Sequence, residues 1–147
     1  MSGIRIFAAA HIIYGIINLF GLGNYKDFKN LLTGYPNAVI FLIYGFGIIY
    51  GIMCIFCGSK ILKLEDWARR TAVMLVIVSL FLGLFTNPVA LKNIRTFYGY
   101  GQQFGGADID TVIKSFLLFA IIFTLYELAF VFYFTRSKIK GLFKCNT

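Results

Sequence analysis

The sequence is poor in the residues that a water-exposed surface needs. Of 147 residues only 14 % are charged, only six are Asp or Glu, and there are one His, one Trp, two Pro and three Cys. So little charge beside 59 % hydrophobic and 18 % aromatic content excludes an ordinary soluble domain of this size. The excess apolar surface needs lipid. Cys54, Cys57 and Cys145 are odd in number and lack secretory spacing, which excludes a disulfide framework. The patterns GxGxxG, GxxxxGK[ST], HExxH and GxSxG are all absent, so no motif nominates a cofactor, a metal or a nucleophile. None is expected.

What is present is long apolar runs with basic ends. The formal charge is +8, yet Lys and Arg sit at the margins of the runs instead of along a polar face. The charge therefore reads as topology and not as a nucleic-acid footprint. About 20 residues span a bilayer, and four segments qualify: 4–22, 38–57, 67–86 and 112–135. Lipid leaves backbone groups no partner outside their own helix. The expected fold is all-α, an integral membrane four-helix bundle forming one domain. The first run carries no small-residue cleavage site after a short apolar core, so it reads as an uncleaved signal anchor.

The charged segment 58–70 divides the runs into two pairs and is read as a cytoplasmic hinge, with Glu65 and Asp66 favouring the start of the third helix. With both termini inside, one face holds Arg5, Lys60, Lys63, Arg69, Arg70, Arg136, Lys138, Lys140 and Lys144, nine cations; the other holds Lys26, Lys29, Lys92, Arg95 and Lys114, five. The count favours N-in and C-in, in the plasma (inner) membrane of a prokaryote.

The outward connections are less uniform. Gly34-Tyr35-Pro36-Asn37 is turn chemistry. Thr86-Asn87-Pro88 predicts an end to the third helix, followed by an outer loop over 87–111. Within it, residues 89–97 read as an interfacial amphipathic helix. Residues 98–106, rich in Gly and aromatics, read either as a flexible loop or as an outward binding lip. The basic tail 136–147, with Ile139, Leu142 and Phe143 between its cations, suits a short helix on an anionic inner leaflet or a stop-transfer anchor. Ile12-Ile13-Tyr14-Gly15-Ile16 recurs as Ile48-Ile49-Tyr50-Gly51-Ile52, a match too short to mark a duplication.

Spanning helices associate at small residues and through interhelical hydrogen bonds. Candidate packing positions are Gly15, Gly47, Gly51 and Gly83; the Gly47/Gly51 pair serves equally well as a face for a second copy. Intramembrane ionisable residues are functional candidates, and two occur, His11 and Glu127. Counting 1.5 Å per residue from the inner helix ends puts both about 10–12 Å deep. Tyr50 and Ser79 reach the same layer. This belt reads as a proton-sharing or cation site, or as a hydrogen-bonded pair fixing helix register. Cys54 and Cys57 lie on one helix face on the reducing side, so a redox enzyme is the weaker reading and buried inert thiols the better one.

Tyr44-Gly45 to Gly58, the turn from Leu62 into Trp67-Ala68-Arg69, and Tyr133-Phe134-Thr135-Arg136 through Lys140 to Phe143 together resemble small, uncharacterised prokaryotic four-helix membrane proteins. The resemblance implies the fold and topology and supplies no activity. The chain departs from the pattern at Ser137, and in carrying His11 and Glu127. Taken together, the sequence points to a small, non-enzymatic subunit or scaffold of a membrane assembly, partnered by lipid and by other membrane proteins or its own copies. A minimal proton or cation channel, transporter or pH sensor centred on Glu127 and His11 is the alternative.

Overall fold

The computed structural model describes residues 2–23, 25–99 and 109–144. They form six helices: α1 (Ser2–Gly21), α2 (Tyr25–Leu31), α3 (Asn37–Ile61), α4 (Asp66–Gly99), α5 (Ile109–Thr135) and α6 (Ser137–Lys144). Four of them, α1, α3, α4 and α5, contain stretches long and apolar enough to cross a membrane. Their outward faces carry Phe20 (84 % exposed), Leu84 (71 %) and Leu42 (68 %), side chains that water would not tolerate in such number. The expectation about residues 98–106 falls largely outside the described residues.

α1 and α3 form the closest pair, and glycine makes it close. A methyl group on Gly15 would lie 2.6 Å from the Gly51 carbonyl oxygen, and one on Gly58 3.0 Å from that of Ala8. Without Cβ atoms the two backbones meet at van der Waals distance. Gly51 faces Leu19 of α1, and Gly47 faces Leu22 just past its end. These glycines are thus used inside the bundle and offer no face to a second copy. Gly83 differs: a Cβ there would meet only Asn87 of its own helix, at 3.5 Å, so it is no packing position.

α4 runs through Pro88 to Gly99, which corrects the expected end at Thr86-Asn87-Pro88. The proline removes one backbone donor, but the helix is tied to the α2–α3 connection on both sides of it. Tyr35 OH donates to the Phe85 carbonyl (3.0 Å), and the Asn93 amide donates to the carbonyls of Leu31 (2.7 Å) and Thr33 (2.9 Å). Ala90 and Ile94 are buried. The 89–97 stretch is therefore the continuation of α4 and is not a separate interfacial helix. α2 packs on α4 and α3 through a connection that turns at Gly34, whose φ of 113° requires glycine. Helix α3 likewise extends to Ile61, beyond the expected 57.

At the opposite end α3 closes in a Schellman motif, with Glu65 N–H on the Lys60 carbonyl (3.2 Å) and Leu64 N–H on Ile61 (2.9 Å). Leu64 takes the left-handed position at φ 60°. The Lys60 ammonium pairs with Glu65 at 3.1 Å and the Trp67 indole N–H donates to the same carboxylate. These partners hold the Glu65 carboxyl below its ordinary value, so the clamp is ionised at neutral pH.

Arg69, assigned from sequence to the basic membrane surface, is instead 7 % exposed. Its guanidinium pairs with Asp66 (2.7 Å), donates to the Phe134 carbonyl at the end of α5 (3.0 Å) and lies over the Phe143 ring (5.7 Å). That contact fixes α6. Phe143 is fully buried against the bundle, with Ile139 and Leu142 partly so. The apolar side of the tail therefore faces protein and not a leaflet, leaving Arg136, Lys138 and Lys140 exposed. The interior at this end is filled by Ile4, Ala8, Ala72, Val76, Phe130 and Phe134.

Candidate functional site

Midway along the bundle, side chains from all four long helices converge on Glu127. The carboxylate is 5 % exposed. Its Oε1 accepts hydrogen bonds from Tyr14 OH of α1 (2.8 Å), Tyr50 OH of α3 (3.1 Å) and Ser79 Oγ of α4 (2.8 Å). Three hydroxyl donors on one oxygen form the donor set of an anion. Among the described ion pairs, no cation is bonded to it.

The tyrosines are held by ring contacts as well as by the carboxylate. Tyr14 meets Tyr50 edge-on at 5.9 Å and Phe123 at 5.2 Å, and Phe46 stacks on Tyr50 at 5.7 Å. These contacts fix both hydroxyls in direction, so little ordering is left to the hydrogen bonds. Tyr14 and Tyr50 are the same position of the repeated pentapeptide, and the glycine that follows each makes the α1–α3 contact. One short motif thus supplies the crossing point and two of the three donors.

His11 and Glu127, which count to one depth from sequence, are both buried but are not bonded to each other. His11 is fully buried, stacks on Phe130 (4.4 Å) and places Nδ1 3.1 Å from Tyr126 OH. The expected His11/Glu127 pair is therefore two separate contacts. The reason is helical register: Tyr126 and Glu127 are adjacent on α5 but point to different neighbours, one to His11 and one to Tyr14, a turn further along α1. His11 Nε2 and Asn18 Oδ1 are buried without a partner. Cys54 and Cys57 are free thiols, both completely buried. Among the described residues no three His, Cys, Asp or Glu side chains could together hold a metal ion.

Glu127 faces a cavity. The space, about 760 Å³, reaches from Glu127, Tyr14, Tyr50 and Ser79 to Leu31 and Leu32 beside α2. Gly83 and Ala120 lie along it, where larger side chains would fill it. Of the other polar walls, Thr86 and Thr124 bond the carbonyls of Leu82 and Ala120 in their own helices, while Asn18, whose Oδ1 has no partner among the described residues, and Asn87 also line the space. Among the described residues Glu127 is the charged group of a mostly apolar chamber. Past it the bundle is closed by the Phe130/Phe134 core. His11 does not line the chamber.

Comparison with protein-family models, with curated proteins and with solved structures finds no match.

Proposed function

We propose that this protein is a membrane-embedded cation site, in which Glu127 exchanges a proton or a competing cation through the chamber on the α2 side. The observation that carries the reading is the triple hydroxyl donation to Glu127 Oε1 without a protein counter-ion. Inside a bilayer an uncompensated carboxylate is costly, and such groups mark ion pathways, relays or ligand counter-ions. Hydroxyls soften that cost without neutralising the charge. A proton or a bound cation completes it.

The packed aromatic core on the far side of Glu127 favours a site reached from one face over an open channel. In this reading the protein lies in a plasma membrane with the termini and the α3–α4 hinge in the cytoplasm, a topology supported by the excess of Lys and Arg at that end. The chamber then opens away from the cytoplasm. His11, packed on Phe130 and bonded to Tyr126, is a register-fixing contact behind the site. A role as subunit of a larger assembly is compatible with this site and would use the lipid-facing side chains, since the α3 glycines are covered by α1.

The test is labelling with dicyclohexylcarbodiimide, an apolar reagent that adds to protonated carboxyl groups. Mass spectrometry of the reconstituted protein should find the adduct on Glu127 and none at that position in Glu127→Gln. Modification of the exposed carboxylates alone, with Glu127 untouched, would sink the reading, since a carboxyl that exchanges protons through an open chamber has to react.

A further inference from the structure

The chamber is far larger than a proton needs, and its lining specifies what else it takes. We infer that it binds a hydrophobic organic cation, with the positive centre at Glu127 and the apolar body along the chamber. This inference rests on the Glu127 reading above and names its ligand.

Size comes first. About 760 Å³ lies within the range of pockets that enclose drug-sized molecules. The wall chemistry comes next. Phe28, Phe46, Phe116, Phe119 and Phe123 all line the space, aromatic walls that suit a poorly hydrated cation and an apolar body alike. Hydrated inorganic ions fit poorly there. Calcium takes six to eight oxygens and magnesium about six, whereas the charged oxygen donors here come from one carboxylate whose Oε1 already accepts three hydroxyls.

Charge then selects the sign. Among the described residues Glu127 is the acidic residue lining the chamber, and no Lys, Arg or His lines it. An anion would meet repulsion, and a neutral ligand would leave the carboxylate uncompensated. The second carboxylate oxygen accepts none of these three hydroxyl bonds, which leaves its acceptor capacity for the cationic centre. Because a proton and the ligand compete for the same carboxylate, binding should weaken as pH falls.

Equilibrium dialysis of the full chain in mild detergent tests this with tetraphenylphosphonium and its matched anion, tetraphenylborate. The expected result is saturable binding of the phosphonium, weaker by about tenfold or more for the borate and for the phosphonium in Glu127→Gln, as loss of a charge-assisted contact implies. Phosphonium and borate binding with equal affinity to the unaltered protein would show a merely apolar chamber and overturn the inference, whether or not the variant folds. No phosphonium binding by a protein whose Glu127 still reacts with carbodiimide would also overturn it, while leaving the proton site standing. Failure of both measurements would remove the Glu127 reading itself.

Discussion

Replacing Gly15 with Ala will lower stability by about 3 kcal/mol, the upper part of the range for overpacking a well-packed interior. The added methyl would stand 2.6 Å from the Gly51 carbonyl oxygen, 2.9 Å from Cys54 Cβ and 3.0 Å from Ile55 Cγ1. The first contact is with backbone, so no rotamer change relieves it. The helices have to separate, and the separation moves Tyr14 and Tyr50, which flank the crossing and both bond Glu127. Gly47→Ala is the control on the same helix pair, because its contact is with the ends of Leu22 (2.9 Å), which can turn aside. Gly45→Ala meets nothing within 4 Å and should be neutral or slightly stabilising, since Ala exceeds Gly in helix propensity by up to about 1 kcal/mol. SDS titration in mixed micelles measures all three. Equal losses at Gly15 and Gly45 would show that the α1–α3 contact is not as close as described.

Arg69→Ala is expected to cost about 3 kcal/mol, the low end for removing one partner of a buried ion pair. The low end applies because Asp66 keeps Arg70, at 2.6 Å. The loss is more than electrostatic. Arg69 also satisfies the Phe134 carbonyl and covers the Phe143 ring, so α5 loses its end contact and α6 loses its anchor. Arg69→Lys keeps the charge but not the planar fork, and restores only part of the stability. A readout specific to this contact is trypsin cleavage after Lys138 and Lys140, which should accelerate in Arg69→Ala as α6 detaches. Unchanged cleavage alongside reduced stability would mean that α6 is held by Phe143 alone.

The parts of this structure that sequence reveals are those governed by single-helix rules. Apolar length marks four helices long enough to cross a membrane, and the rule that charge inside lipid needs a reason singles out Glu127 and His11, with Tyr50 and Ser79, which bond Glu127, named by counting along their helices. What counting along a helix omits is rotation around it. His11 and Glu127 count to one depth but face different neighbours, so depth does not predict a bond between them. Tyr14 and Tyr126 were hidden because tyrosine in an apolar run looks like one more aromatic. The clue was the repeated Ile-Ile-Tyr-Gly-Ile, whose two tyrosines serve one carboxylate.

Gly83 shows the opposite failure: at packing spacing it lines empty space. Glycine in a membrane helix permits either a close neighbour or a chamber, and only the position of the other helices decides. Pro88 was misleading for a related reason. Its effect on an isolated helix is to end it, but here Tyr35 bonds the turn before it and Asn93, in the turn after it, bonds the carbonyls of Leu31 and Thr33 outside the helix. Arg69 was grouped with the surface cations by its place in the hinge, whereas its partners, Phe134 and Phe143, come from the far end of the chain.

The most direct measurement of the Glu127 site is infrared difference spectroscopy of the membrane-reconstituted protein through a pH titration. A pH-dependent carboxyl band of a buried acid should be present in the wild type and absent in Glu127→Gln. It should shift in Tyr14→Phe and in Tyr50→Phe, each of which removes one donor from Oε1. Wild type and Glu127→Gln giving the same pH-dependent spectrum while both remain folded would contradict a carboxyl that takes up and releases a cation inside the membrane.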